Sequence, residues 1–277
     1  FTSTGDSDIS IAGSGNVQTD AFVSGSSLAT GVTANANAYA DLSAQGLNLS
    51  DDSVTISGSG DVNGRGLVGN WLVDGAGNYS NGTAFRVEAE TVTGNATAGN
   101  GALAADFDGI GLTGAAGGSI TAGPNNGDIF GLGAAAGDVT STTTTGNANS
   151  NTDADLFGIQ NLDLVGGKDG SSILDGRAQG VFNTNANSVT GNATGASNVN
   201  AYGFDGNSDT ASVNGSINAL AQLSNTVVAS TTTGTASATA TGNAIGLEGY
   251  SITMEGNGVI TADASANITA RSNTITG

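Results

Sequence analysis

β-Branched residues recur at every second position in short runs along this chain, and each run closes on a glycine. Ile9-Ser10-Ile11-Ala12-Gly13, Val54-Thr55-Ile56-Ser57-Gly58 and Ile120-Thr121-Ala122-Gly123 set the pattern. It returns at Ile173-Leu174-Asp175-Gly176, Val213-Asn214-Gly215 and Ile252-Thr253-Met254-Glu255-Gly256. Such alternation gives a strand one buried and one solvated face. A second run follows in several blocks, as Ile217-Asn218-Ala219-Leu220-Ala221 or Ile260-Thr261-Ala262-Asp263-Ala264. A third phrase is Val92-Thr93-Gly94-Asn95-Ala96-Thr97, repeated as Val189-Thr190-Gly191-Asn192-Ala193-Thr194, with looser versions at Val139–Thr142 and Ile268–Ala270. Blocks close on glycine plus a large apolar residue: Gly46-Leu47, Gly111-Leu112, Gly158-Ile159, Gly203-Phe204 and Gly246-Leu247. Stripes with a 3.6-residue period are missing, and 46 glycines oppose helix throughout.

The blocks begin 45, 66, 53, 40 and 39 residues apart. Periods of this size mark solenoids and propellers. A propeller needs tight meander hairpins and more aromatic residues than the 5% found here. The pattern therefore predicts an all-β fold, a parallel β-helix or solenoid built from degenerate repeats of about 40–66 residues and forming one continuous domain over residues 1–277. Counting each repeat as about two turns gives on the order of a dozen turns and a rod of roughly 55–60 Å. The longer intervals read as insertions around Trp71–Ala84 and Asn161–Ser171.

Composition supports a thin core. Charged residues are 10% of the chain, and its apolar part is mostly Ala, Val, Ile and Leu. That is too little bulk for one spherical core, yet it suits small residues stacked along an axis. Low charge density and regularly spaced β-branched residues argue against disorder. The net charge of −19, with cations only at Arg65, Arg86, Lys168, Arg177 and Arg271, excludes nucleic acid as a partner and disfavours anionic membranes. No apolar run reaches membrane-spanning length, so no membrane insertion is expected.

Catalytic chemistry is limited by what is missing. The chain has no His and no Cys, which removes Ser-His-Asp and Cys-His arrangements, ordinary zinc sites and disulfides. The carboxylate pairs Asp51/Asp52, Asp106/Asp108 and Asp153/Asp155 have the residue type for glycoside hydrolysis, but Trp71 is the only tryptophan to line a sugar cleft. The pairs read as solvated loop groups, and the chain reads as no enzyme. No cofactor is expected; calcium is the one candidate cation. Gly166-Gly167-Lys168-Asp169-Gly170 only partly matches a calcium-binding glycine-rich repeat, with a lysine in the way. The glycines of 109–118 lack a strand–helix context for phosphate. Glycosylation sequons occur at Asn48, Asn78, Asn81, Asn95, Asn192, Asn214 and Asn267.

Two features suggest surfaces. The ends read as cut from a periodic text: Gly277 followed by Phe1 reproduces the Gly-Phe of Gly203-Phe204. A head-to-tail homopolymer would then use Phe1, Ile9, Ile11, Ile268, Thr274, Ile275 and Gly277, because uncapped strand edges template pairing and heterologous contacts grow filaments. The alternative surface is a flat threonine face, as in ice-binding solenoids, from Thr142, Thr144, Thr231 and Thr233. The Val-Thr-Gly-Asn-Ala-Thr phrases and Ile-Thr-x-x-Gly openings resemble those of bacterial extracellular β-strand-repeat surface proteins and adhesins, over nearly the whole chain. That resemblance implies a parallel β-helix at the cell surface, in filaments, sheaths, surface layers or adhesion to surface glycans. The expected role is a structural subunit, with ligand binding to ice or glycan as the alternative.

Overall fold

A computed structural model describes residues 8–49, 52–73, 79–108, 119–168 and 171–275. Among them every regular element is a strand and none is a helix. Two parallel sheets, of nine and eight strands, account for all but one small hairpin. The chain alternates between them. Outbound strands fill the eight-stranded sheet: Val17–Val23 with Ser26–Thr30, Val62–Val68 with Phe85–Thr93, Ile129–Thr145, Ser172–Thr190, Gly215–Thr233 and Ile260–Thr274. Return strands fill the other: Ala36–Asn48, Ala96–Asp108, Ala148–Gln160, Ala193–Val213 and Ala236–Met254. Short strands Ile9–Ile11, Ser53–Ile56, Ser119–Thr121 and Asp163–Val165 extend the return rows, and in the last two rows the long strand continues through this position.

Each strand pairs with its equivalent one circuit away, not half a circuit. Ile129 lies opposite Leu174, Leu174 opposite Ile217, and Ile217 opposite Ile260, steps of 45, 43 and 43 residues. Two turns per repeat is thus corrected to one row per repeat. The six outbound rows span roughly 24 Å at about 4.8 Å per spacing, not the 55–60 Å expected. The block boundaries also shift. The column that starts Ile9, Val54, Ile120 continues through Leu164 and Ala211 to Ile252, whereas Ile173 belongs to an outbound strand opposite Ser216. The run Asp163-Leu164-Val165 has only two apolar residues, so sequence alternation favours the stronger Ile173-Leu174. Residues 161–165 are consequently part of the regular path. The excursion at 71–84 departs from it: Val68 pairs with Ala135 and Phe85 with Gly137, and between them Asn70–Val73 and Tyr79–Thr83 form an antiparallel hairpin.

The sheets pack face to face around two separate cores. One holds Val68, Phe85, Val87, Ala135, Val139, Leu156, Phe182, Val199 and Leu223; the other holds Leu47, Val54, Ile120, Ile129, Ile159, Leu174, Phe204 and Ile217. A waist of glycines divides them. A Cβ on Gly203 would lie 2.6 Å from Gly246 O, 2.8 Å from Leu220 N and 2.9 Å from Gly176 O, so the backbones of both sheets touch there. Gly158 and Gly176 meet the same crowding. Beyond the glycine the inward side changes parity: Leu156 and Ile159, three apart, both point in. The Gly-plus-apolar phrase is thus the crossing from one core to the other.

Candidate functional site

The phrase Val-Thr-Gly-Asn-Ala builds the corner from outbound to return strand, and each residue has one task. The glycines form a column, Gly94, Gly146, Gly191 and Gly234, with φ of 127°, 132°, 135° and 142°, a region that side chains avoid. Asparagines form the next column. Asn35 Oδ1 accepts from Asn95 N at 2.9 Å, Asn95 Oδ1 from Asn147 N at 2.9 Å, Asn147 Oδ1 from Asn192 N at 3.0 Å, and Asn192 Oδ1 from Thr235 N at 3.0 Å. Thr93, Thr145, Thr190 and Thr233 each donate to a carbonyl one row back, at 3.0–3.4 Å. Two residues earlier, Thr91, Thr143, Ser188 and Thr231 donate inward to the corner carbonyls Ala34, Gly94, Gly146 and Gly191 at 2.7–2.9 Å. The alanine then packs small: Ala148 and Ala193, with Ala236 beside them, cluster against Ala186 and Ala229 of the outbound strands.

Carboxylates line the opposite corner. Asn16 Oδ1 accepts from Asp61 N, Asp61 Oδ1 from Asp128 N, and Asp128 Oδ1 from Ile173 N, at 3.0, 3.1 and 2.7 Å. Burial pushes the Asp128 carboxyl above its ordinary range, against the Ile173 hydrogen bond and with help from Asp61 and Asp175. Asp205 is raised by burial too, opposed by the amide of Gln160.

The ladders leave two ends, and these differ sharply from the middle. Ile217 is 1% exposed, whereas Ile260, next in its column, is 45% exposed. Ile268 is likewise exposed while Asn225 beneath it is buried. Of eleven exposed large apolar residues among those described, eight lie in the first or last circuit: Phe22, Leu28, Val32, Tyr39, Val259, Ile260, Ile268 and Ile275. Ile9 and Ile11 are half-buried on the first short strand. Thr274 ends the last strand, and Ile275 N donates to Thr231 O at 2.9 Å. Phe1 and Gly277 lie outside the described residues, as do Asp51 and residues 109–118.

The proposed threonine face does not assemble. Thr231 and Thr233 align with Thr143 and Thr145, not with Thr142 and Thr144. Strand parity therefore turns Thr231 into the core, 3% exposed, while Thr142 faces out beside Asn187 and Ser230. These threonine runs read as surface because alternation alone does not say which parity points in. Asp153 and Asp155 are exposed and accept from Asn198 and Asn200 at 3.1 and 2.9 Å. Among the described residues no three acidic side chains gather into a metal-binding group. Asn95 and Asn192, both in sequons, use their Oδ1 atoms in the corner ladder.

Sequence reading misses one concavity. Gly99 and Gly101 leave a strip of bare backbone between Tyr39 and Asp41 on one row and Asn151 and Asp153 on another, making an open groove of 610 Å³. The Tyr39 ring lies over Gly99, where a Cβ would sit 2.7 Å from its Cε1. Only the row pairing reveals this, since the two walls are 112 residues apart (Tyr39 to Asn151).

No protein-family model, curated protein or solved structure matches the chain.

Proposed function

We propose that the protein is a structural subunit of an extracellular filament, sheath or surface layer, a parallel β-helix whose copies stack head to tail. The observation that carries this reading is the exposure of Ile260 and Ile268, inward positions of the last row whose column neighbours Ile217 and Asn225 are buried one row earlier. Among the described residues the strands Val17–Val23 and Ile260–Thr274 lie at the two ends of the eight-stranded sheet's order, the kind of edge that templates pairing. The role needs no catalytic group, which agrees with a chain that has neither His nor Cys. The homopolymer is its own partner; nucleic acid and membrane insertion have no part in it, and no cofactor is required. Calcium would act by screening the charge of −19.

A second reading, a glycan-binding adhesin, draws on the groove beside Tyr39, which offers a ring face, two carboxylates and an amide along an open strip. It is compatible with stacking, because the groove opens sideways on the return sheet.

Negative-stain electron microscopy and sedimentation velocity of the purified protein test the main reading. Rods of constant width that lengthen with protein and salt concentration are expected. A monodisperse monomer up to high concentration would refute it.

A further inference from the structure

We infer that the joint between copies is an in-register parallel pairing of residues 9–30 of one copy with residues 252–273 of the next. This rests on the head-to-tail reading above and goes further by fixing which residue meets which.

The argument is a constant offset. Followed row by row, the column of Ile9 ends at Ile252, that of Val17 at Ile260 and that of Ser26 at Thr269. The two members of each pair are 243 positions apart (Ile9 to Ile252, Val17 to Ile260, Ser26 to Thr269). Between neighbouring rows the offset changes along the row: Val62 and Ile129 are 67 apart but Arg86 and Asp138 52, because a hairpin intervenes after Val68, and Leu164 and Ala211 are 47 apart but Leu174 and Ile217 43. The first and last circuits therefore have the same length through short strand, corner and outbound strand. Glycines coincide at Gly13 with Gly256 and Gly15 with Gly258, and Ala21 falls on Ala264. Strand register is strongly specified where one face is buried, since a slip of one residue turns every side chain over. Here both edges carry the same inward columns, so the second copy continues the first.

The contacts that follow are chemically specific. Val17 covers Ile260, the most abruptly exposed inward residue of the last row. Exposed Phe22 comes beside Ser265, and exposed Leu28 beside the alkyl stem of Arg271. Asp263 comes beside Asp20, whose carboxylate Arg65 bridges at 3.3 Å. That pair of like charges makes the joint tighter as salt screens it. On the return sheet, Ala236–Met254 of one copy and Ala36–Asn48 of the next lie two strand spacings apart, so the outbound seam and the short strand carry the contact.

Cysteine cross-linking reads the register directly, because the chain has no cysteine of its own. Gln18 and Thr261 are exposed, outward-facing and opposite each other in the proposed joint. The double variant Gln18→Cys/Thr261→Cys should form a ladder of disulfide-linked multimers on mild oxidation. Gln18→Cys/Ser265→Cys, displaced by four residues or roughly 13 Å, exceeds disulfide reach and should stay unlinked. If rods form but both variants link equally, or neither does, the register is wrong while stacking survives. If no rods form and no ladder appears, the head-to-tail reading falls with it.

Discussion

At the scale of single residues, this protein is held in shape by columns of identical small tasks. The corner glycines show it most clearly. A Cβ on Gly191 would run into the carbonyl oxygen of Gly146 one row away, and its φ of 135° disfavours any side chain. Gly13, at the opposite corner, has nothing within 4 Å of such a Cβ. Gly191→Ala should therefore cost about 2 kcal/mol or more, while Gly13→Ala in the unassembled monomer, where no second copy lies against it, should stay within roughly 0.5 kcal/mol of the parent. Denaturant midpoints of the two variants check this, and equal midpoints would remove the corner argument. Both glycines read alike in the sequence. What separates them is a carbonyl contributed by another row.

At the scale of elements, the outbound and return strands are joined by a waist as well as by their corners. Gly203 sits where both sheets are in backbone contact, with Phe204 turning into the second core. Gly203→Ala forces the sheets apart along a line where no side chain can yield. A loss of up to about 3 kcal/mol is expected, the range for overpacking a tight site. Thermal melting followed by circular dichroism would measure it; a parent-like melt would mean that the sheets part freely at this point. The alternation identified these strands correctly as half-buried. It did not identify the change of parity, because Gly158-Ile159 and Gly203-Phe204 look like ordinary block ends until the opposing Gly176 is brought against them.

At the scale of the whole molecule, charge opposes both compactness and stacking. Asp128 and Asp205 are pushed above their ordinary range chiefly by burial. Between the usual aspartate value and the raised one, the folded state holds protons that the unfolded chain has released. Stability contributed by these groups therefore rises as pH falls through that window and is lost again as pH climbs towards neutrality. The melting temperature should increase as the pH is lowered from neutrality towards the ordinary aspartate range. The double variant Asp128→Asn/Asp205→Asn should melt higher than the parent at pH 7 and show a flatter pH profile. An unchanged slope would assign the effect to net charge alone.

The all-β class and the parallel stacking were legible in the chain alone, because strand alternation and glycine punctuation are local properties. The sequence also confined the chemistry, since a chain without His or Cys lacks those nucleophiles and ligands in any fold. Tertiary structure decided the rest. Row spacing, the two cores and the inward turn of Thr231 depend on pairs some 43–67 residues apart, and alternation has the same period whichever face is buried. The ends belong to this second class: Ile260 and Ile217 are alike as residues, and only the row stacked upon Ile217 makes one a core position and the other an open edge.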